Sequence, residues 1–282
     1  GEQRIFKIHI HTLDPGNALS EAITIGSIAS VSIENMETQS QEILNSSRKA
    51  KTKLQIDLSG QTALLSIVNG YGIVRMSNEL GVDLVIDGGL DMNPSVEDIV
   101  SAVNQIEADS ILLLTNDKNV IPAANQAAEL LTSTIEILPT ETQVQGLECI
   151  FNFDPDVSAL QNKKIMSRLI PHIKTIAIFK SSRSVKIDGM TVDRLQPMVM
   201  VDGEIHKSGD NLDELFLEII QEELGQPVEH VTVLLGNGMN SDDIDRINNT
   251  LEHNVKNLKE DVIELHIGGQ PHYDYLISVL SN

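Results

Sequence analysis

The sequence predicts an α/β protein in which parallel strands alternate with helices. Val82–Ile86 and Ile111–Leu114 are short apolar runs, and each ends in a polar loop. A helical pattern follows each loop, starting near Pro94 and near Pro122. Strand, polar loop and helix in succession are typical of a parallel sheet that is buried on both faces. The loops at the carboxyl ends of such strands usually bind ligands or partners.

The composition narrows the class of protein. The chain has 282 residues, 41% of them hydrophobic, and a formal net charge of −21, so it can bury sizeable cores but offers no basic surface to nucleic acid. Its single cysteine, Cys149, cannot form an internal disulfide, which fits a reducing cytoplasm. No apolar run approaches the length of a membrane span, so we expect no integral membrane segment.

Residues 1–45 form a first unit with a β–α–β pattern. Ile5–His11 alternates as a strand, Asn17–Ile25 is a short helix that ends at Gly26, and Ser30–Ile33 is a second strand. This fragment has little core of its own, so we expect self-association or a missing upstream half. We therefore read the chain as a piece of a longer protein. Residues 46–61 are basic and polar and are predicted to be a linker.

Residues 62–155 form the first lobe of the larger unit. Its further elements are a strand at Ala63–Val68, a glycine-dependent turn at Gly70-Tyr71-Gly72, a helix at Ile73–Leu80, a strand at Ile135–Leu138 and a short helix after Gln145. Asp154 is predicted to cap the helix that follows.

Residues 156–282 form the second lobe. Its predicted elements are a helix at Val157–Ile170, an antiparallel strand at Lys174–Lys180, strands near Val185–Ile187, Met190 and Pro197–Val201 with a hairpin turn at Asp202-Gly203, an acidic helix at Asp210–Glu223, a strand at Val231–Leu235, a helix capped by Ser241, and strands at Val262–His266 and Tyr275–Leu280. The strand, loop and helix at 231–250 resemble those at 111–130, so two similar α/β lobes with mainly parallel sheet are expected.

Three strings in this order resemble one family. They are HIHTLDPGNAL…GSIASVSIENM at 9–36, the GG-x-x-MNPS-x-EDI and NDKN strings within 87–129, and ELHIGGQPHYDYLISV at 264–279. They are similar to the middle and C-terminal domains of the ATP-binding subunit of bacterial fatty acid kinase, a relative of dihydroxyacetone kinases. The resemblance implies a C-terminal fold similar to the DegV-like fatty-acid-binding subunit.

The resemblance also implies a function. In that family an N-terminal kinase domain holds Mg-ATP, and the C-terminal domain is thought to dock the fatty-acid-carrying subunit, whose carboxylate becomes an acyl phosphate for phospholipid synthesis. The metal-binding Asp cluster and the phosphate-cradling loop of the kinase domain have no counterpart in this chain. We therefore expect no catalysis by the chain alone, no cofactor beyond a possible zinc ion, a DegV-like carrier as its partner, and a homodimer.

His9 and His11 are the candidate metal ligands. Residues i and i+2 of a strand point the same way, so two imidazoles can share one zinc ion. In the family this pair is similar to a zinc site that an upstream cysteine completes, and that cysteine is absent from this sequence. Two surface histidines without zinc are the alternative.

The polar strand-end loops supply the candidate partner-binding residues. Each loop has a structural alternative, namely a turn or a helix cap. Glu141 stands where the family has lysine, which argues against an anion site there. The candidates are Asn93, Ser95, Asn116, Lys118, Asn119, Thr140, Thr142 and Gln270.

Three functions are compatible with this sequence. The first is a docking region that positions the fatty-acid carrier. The second is a direct lipid- or small-ligand-binding domain, which requires an enclosed apolar tunnel between the lobes. The third is a stand-alone kinase of the dihydroxyacetone type that uses a covalent histidine adduct, and it is disfavoured because the loops at 87–95 and 115–119 contain no histidine.

Overall fold

The structure is a computed structural model that describes residues 15–26, 56–187, 190–255 and 262–281. The chain divides into two units, Gly1–Leu54 and Gln55–Asn282. In the first unit the structure describes helix α1 (Pro15–Ile25), which agrees with the predicted helix. The two predicted strands of this unit, and with them His9 and His11, lie outside the described residues.

The first lobe of the second unit is a four-stranded sheet with five helices. Its strands are all parallel and lie in the order β2-β1-β3-β4. In chain order the elements are β1 (Ile56–Val68), α2 (Tyr71–Glu79), β2 (Leu84–Asp87), α3 (Val96–Val103), β3 (Ile106–Leu114), α4 (Val120–Leu130), β4 (Ile135–Leu138), α5 (Gln143–Ile150) and α6 (Ala159–Met166).

In its described residues the second lobe is a six-stranded sheet with two helices and a separate hairpin. A 3-10 turn (Ile170–His172) leads into it. Its elements are β5 (Ile173–Lys180), the hairpin β6 (Val185–Ile187) and β7 (Met190–Val192), β8 (Pro197–Val201), β9 (Glu204–Ser208), α7 (Leu212–Leu224), β10 (His230–Leu235), α8 (Ser241–Asn254), β11 (Ile263–Ile267) and β12 (Tyr275–Leu280). The strand order is β11-β10-β12-β5-β8-β9.

Three apolar layers hold this unit together. One face of the first sheet packs on α3 and α4, and one face of the second sheet packs on α7 and α8. The third layer lies between the two sheets and contains α2, α5 and α6. Alternation along β1 explains the arrangement, because Leu64 and Val68 enter the middle layer whereas Ala63, Leu65 and Ile67 face α3 and α4.

The predicted α/β class with a parallel sheet is confirmed, and the second sheet differs from the first. Only β10 and β11 pair in parallel there, and the other described neighbours are antiparallel. The resemblance between 111–130 and 231–250 covers one strand and one helix, which does not determine how the other strands pair.

Two caps and one strand boundary differ from their predicted positions. Ser158 caps α6 in place of Asp154, and Asn240 caps α8 in place of Ser241. Strand β1 begins at Ile56, inside the predicted linker, because its first residues pair with the start of β3. The boundaries of the three predicted segments otherwise stay a prediction. Among the described residues no helix is long and apolar enough to cross a membrane.

Candidate functional site

A cleft opens at the carboxyl edge of the parallel sheet, at the point where the order of strand addition reverses. From β1 the chain moves outward to β2 and then returns to β3 on the other side, so the carboxyl ends of β1 and β3 form a topological switch point. Ligands of open α/β sheets bind at such points. A cavity of about 710 Å³ lies there, with Asn69 and Asn116 at the strand ends on one side and Thr175, Ala177 and Leu276 of the second lobe on the other.

The walls of the cleft differ in chemistry. The wall from the second lobe contains the apolar side chains Ala177, Met200 and Leu276 among polar ones, and the rim carries more acidic than basic side chains. Of the two lysines, Lys174 is paired with Glu223 at 2.7 Å. The charged and aromatic lining residues are Asp91, Asp117, Lys118, Glu141, His172, Lys174, Asp202, His272 and Tyr273. A negatively charged group therefore finds few free cations along this rim.

Hydrogen bonds of Asn116 and Thr140 connect the carboxyl ends of β1, β3 and β4. Asn116, at the end of β3, is 2% exposed and adopts a left-handed φ of 57°. Its Nδ2 donates to Ser66 Oγ at 2.8 Å and to the Ile67 carbonyl at 3.0 Å, both in β1. Thr140, fully buried after β4, donates to Asn116 Oδ1 at 2.8 Å. Both side chains are buried and hydrogen-bonded within the sheet, and their role in binding a partner stays a prediction.

A second amide pair closes the end of β1. Asn69 Oδ1 accepts from Gln143 Nε2 at 2.8 Å, and the Asn69 N–H donates to Gln143 Oε1 at the same distance. Asn69 Nδ2 also donates to the Gly89 carbonyl at 2.9 Å, which fixes the loop after β2. Asn69 was not among the candidates predicted from sequence. An asparagine directly after a buried strand was the available signal.

Gln270 is also internal. Its side chain is fully buried, and Nε2 donates to the Leu234 carbonyl at 2.9 Å. Within the described part of the chain Oε1 has no hydrogen-bond partner. Gln270 therefore braces the turn before β12, and its predicted role in binding a partner stays a prediction.

Ser95 and Thr142 cap helices, which was the structural alternative for each. Ser95 forms a capping box with Asp98 at the start of α3. Thr142 accepts from the Gln145 N–H at the start of α5, and its hydroxyl lies 3.1 Å from that of Thr175 in β5. Ser95 is also exposed, as are the remaining candidates Asn93, Lys118 and Asn119. Their role in binding a partner stays a prediction.

The first turn of α2 is occupied by backbone from the second lobe. A helix N-terminus next to a strand end is an anion-binding position, because its first N–H groups lack partners within the helix. Here the N–H groups of Gly72 and Ile73 donate to the Gly268 carbonyl at 2.9 and 3.1 Å. Gly70 has a φ of 92°, and a Cβ there would lie 2.7 Å from the backbone of Gly268 and Gln270. The position is filled by the protein itself.

Burial shifts the pKa of two titratable groups in the cleft. Burial raises the pKa of Asp117, against the opposing effects of the Asn119 N–H and Lys118. Burial and the nearby Asp117 also raise the pKa of Tyr273. His272 lies 3.1 Å from Asp91, so a histidine does contact the loop after β2 although that loop contains none.

The metal prediction is not tested by these residues. In the described ranges no three His, Cys, Asp or Glu side chains are grouped so that they could hold a metal ion. A zinc ion on His9 and His11 stays a prediction, since both residues lie outside those ranges.

Comparison with solved structures identifies proteins of similar fold. Dihydroxyacetone kinase of C. freundii superposes with a TM-score of 0.58 at 9% identity, over 90% of this chain and 57% of the kinase. A DegV family protein from Thermus thermophilus, for which fatty acid binding is reported, superposes with a TM-score of 0.51 at 11% identity, over 79% of this chain and 100% of that protein. The chain therefore has the fold that these two protein classes share.

Comparison of sequences gives the family. Residues 63–280 match the profile of the FakA-like C-terminal domain of fatty acid kinase, and residues 1–43 match the profile of the FakA-like middle domain. The chain belongs to this FakA-like fatty acid kinase family. Protein YloV of Bacillus subtilis is 30% identical over 277 residues, which cover 98% of this chain and 50% of YloV. The chain spans about half the length of the relatives it matches.

Proposed function

We propose that this chain is the docking region of a fatty acid kinase subunit. It binds the protein that carries the fatty acid and holds it so that a separate kinase domain phosphorylates the carboxylate. The acyl phosphate then enters phospholipid synthesis. In this proposal the chain itself transfers no phosphate, and it acts in the cytoplasm as a homodimer.

One observation carries the proposal. One position where an α/β protein usually binds phosphate is filled by the chain itself, because the Gly268 carbonyl occupies the first turn of α2, and the neighbouring side chains Asn69 and Asn116 are engaged within the sheet. A nucleotide therefore has no free N–H cradle at the first turn of α2. A region of a kinase subunit that lacks this cradle contributes by positioning a substrate, which phosphoryl transfer requires as much as charge stabilisation.

Two measurements on the purified 282-residue chain test the proposal. Isothermal titration calorimetry with the oleate-loaded carrier subunit from the same organism should show saturable binding. ADP formation in the presence of Mg-ATP and the loaded carrier should not exceed that of carrier alone. Absence of binding, or ATP turnover by the chain, contradicts the proposal. Light scattering on the same sample tests the homodimer.

A direct ligand-binding role is the second candidate, and the cleft favours it. A volume of about 710 Å³ with an apolar wall from Ala177, Met200 and Leu276 suits a small amphipathic molecule. This role was predicted to require an enclosed tunnel, whereas the cleft has a polar and charged rim. Native mass spectrometry of the freshly purified chain distinguishes the two: a bound acyl chain or metabolite supports this candidate, and an apo mass removes it.

A further inference from the structure

The charged side chains of the cleft are mostly acidic. Four carboxylates and two lysines line it; they are Asp91, Asp117, Glu141, Asp202, Lys118 and Lys174. Lys174 is paired with Glu223 at 2.7 Å, so its charge is already compensated. The cleft therefore has an excess of negative charge within its own lining, and this excess sets the charge of the ligand that it attracts.

Asp117 is the most buried of these carboxylates. It is half-buried, whereas the other three are exposed. Its Oδ1 accepts the Asn119 N–H at 2.7 Å, and within the described residues its side chain forms no ion pair. Burial raises its pKa, and the exposed Lys118 beside it in the chain opposes this with a smaller effect. A partly desolvated carboxylate of this kind is stabilised in its ionised form when a cation binds to it.

An aromatic side chain accompanies this carboxylate. Tyr273 lines the same cleft and is half-buried, and the negative charge of Asp117 contributes to its raised pKa. The Tyr273 ring packs edge-to-face on Phe179, with the ring centroids 5.7 Å apart and an angle of 82° between the planes. A carboxylate together with an aromatic ring attracts an ammonium group, through charge and through the quadrupole of the ring.

The wall from the second lobe adds apolar contact area. Ala177 and Leu276 belong to the buried layer between the two sheets, and Met200 packs against that layer. All three side chains also line the cleft, whose volume is about 710 Å³. Because burial of apolar surface is favourable, a ligand that carries an alkyl stem gains free energy from contact with them.

We propose that the cleft binds an alkylammonium group. The ammonium contacts Asp117 and Tyr273, and the alkyl stem lies against the apolar side chains of the second lobe. This inference rests on the second candidate role above and names its ligand class. It does not depend on docking of a carrier. A fatty acid is the disfavoured ligand, because its carboxylate would meet Asp117 with a like charge.

Isothermal titration calorimetry of the full 282-residue chain with hexylamine and hexanoate tests the inference. The two probes have alkyl stems of similar length and differ in the charge of the head group. At physiological salt, hexylamine should bind at a single site, roughly tenfold or more tightly than hexanoate. Methylamine should bind more weakly than hexylamine, because it lacks the stem. A lysine capped at both ends of its backbone identifies the source of the amine: binding as tight as that of hexylamine points to a protein side chain, and weaker binding points to a free amine.

Two variants locate the site. Asp117→Asn removes the charge but keeps an oxygen that can accept the Asn119 N–H, so the fold should be kept. It should weaken hexylamine binding roughly tenfold. Asp245→Asn is the matched control, because it removes one negative charge from an exposed position of α8 outside the cleft. This control should bind hexylamine as the wild type does.

The outcomes separate this inference from the proposed function. If Asp245→Asn weakens binding as much as Asp117→Asn, hexylamine is attracted by the net charge of −21 alone, and the inference is overturned. If hexanoate binds as tightly as hexylamine, the cleft is a ligand site without the proposed charge preference, so the inference fails while the second candidate role stands. If neither probe binds, the inference fails, and native mass spectrometry decides the role independently. Docking of the carrier is measured in a separate titration and is not affected by these results.

Discussion

Replacing Gly72 with alanine tests how the two lobes are joined. Gly72 lies in the first turn of α2, and a Cβ at this position would overlap the Ile267 carbonyl oxygen and would lie 2.7 Å from its carbonyl carbon and 3.1 Å from that of Gly268. Backbone faces backbone here, so no side-chain rotation relieves the overlap. The added methyl group must separate α2 from the loop after β11.

The cost follows from two contributions. Overpacking of a close contact costs about 1–3 kcal/mol. Separation also breaks the hydrogen bonds from Gly72 and Ile73 to the Gly268 carbonyl, each with a net value of about 1 kcal/mol. We expect Gly72→Ala to lower the free energy of unfolding by roughly 3–5 kcal/mol, which corresponds to a drop in melting temperature of about 10 °C for a unit of this size.

Differential scanning calorimetry and urea denaturation measure the effect. Gly225→Ala is the matched control, because Gly225 ends α7 with a φ of −72° and an added Cβ would meet only carbonyl oxygens of that helix, at 3.2 and 3.5 Å. The control should melt within a few degrees of the wild type. If Gly72→Ala is as stable as Gly225→Ala, the lobes are not in backbone contact at this joint, and the Gly268 carbonyl does not fill the anion position of α2.

Three further predictions concern buried polar groups. Asn116→Ala should lower the free energy of unfolding by roughly 2–3 kcal/mol in urea titrations, because the Thr140 hydroxyl and the strand ends lose their partner. Burial raises the pKa of Asp83 above its usual value, although the hydrogen bond from the Leu64 N–H lowers it. The free energy of unfolding should therefore fall as pH rises through the raised pKa. Thermal melts across this pH range should show a flatter dependence of stability on pH for Asp83→Asn. Burial, with a smaller effect of the neighbouring Glu148, raises the pKa of Cys149 to about 12. Iodoacetamide at mildly alkaline pH should therefore modify this thiol only after the chain unfolds. Labelling of the native chain, detected by mass spectrometry, would refute this prediction.

Local patterns predicted most elements because local chemistry sets them. The apolar run Ile135–Leu138 is strand β4 in the structure, and Ser95 caps α3 together with Asp98 as the sequence indicated. The observed helix caps differ from the predicted ones where several residues able to cap a helix lie close together in the sequence. Ser158 and Asn240 cap these helices because each has an extended backbone and a side chain that accepts an N–H of the first turn, from Gln161 and Asp242 respectively.

The candidate site shows what local patterns could not predict. Four of the polar candidates line the cleft at the edge of the sheet, namely Asn116, Lys118, Asn119 and Thr142. Their availability was not predictable, because Asn116 reaches Ser66, fifty positions away, and Thr140 reaches Asn116. Packing also decided which side of α6 is buried: Ala159 and Met166 are fully buried, whereas Leu160 and Ile165 are 46% and 45% exposed.

By itself the sequence determined the α/β class, the positions of most strands and helices, and the family resemblance. These depend on residues close in the chain, whose periodicity and caps act over a few positions. Tertiary structure alone decided the strand order of the second sheet, the burial of Asn116, Thr140 and Gln270, and the contact of α2 with Gly268. Those features depend on pairings between distant segments, since a hydrogen bond or a buried surface requires a partner that only folding brings near.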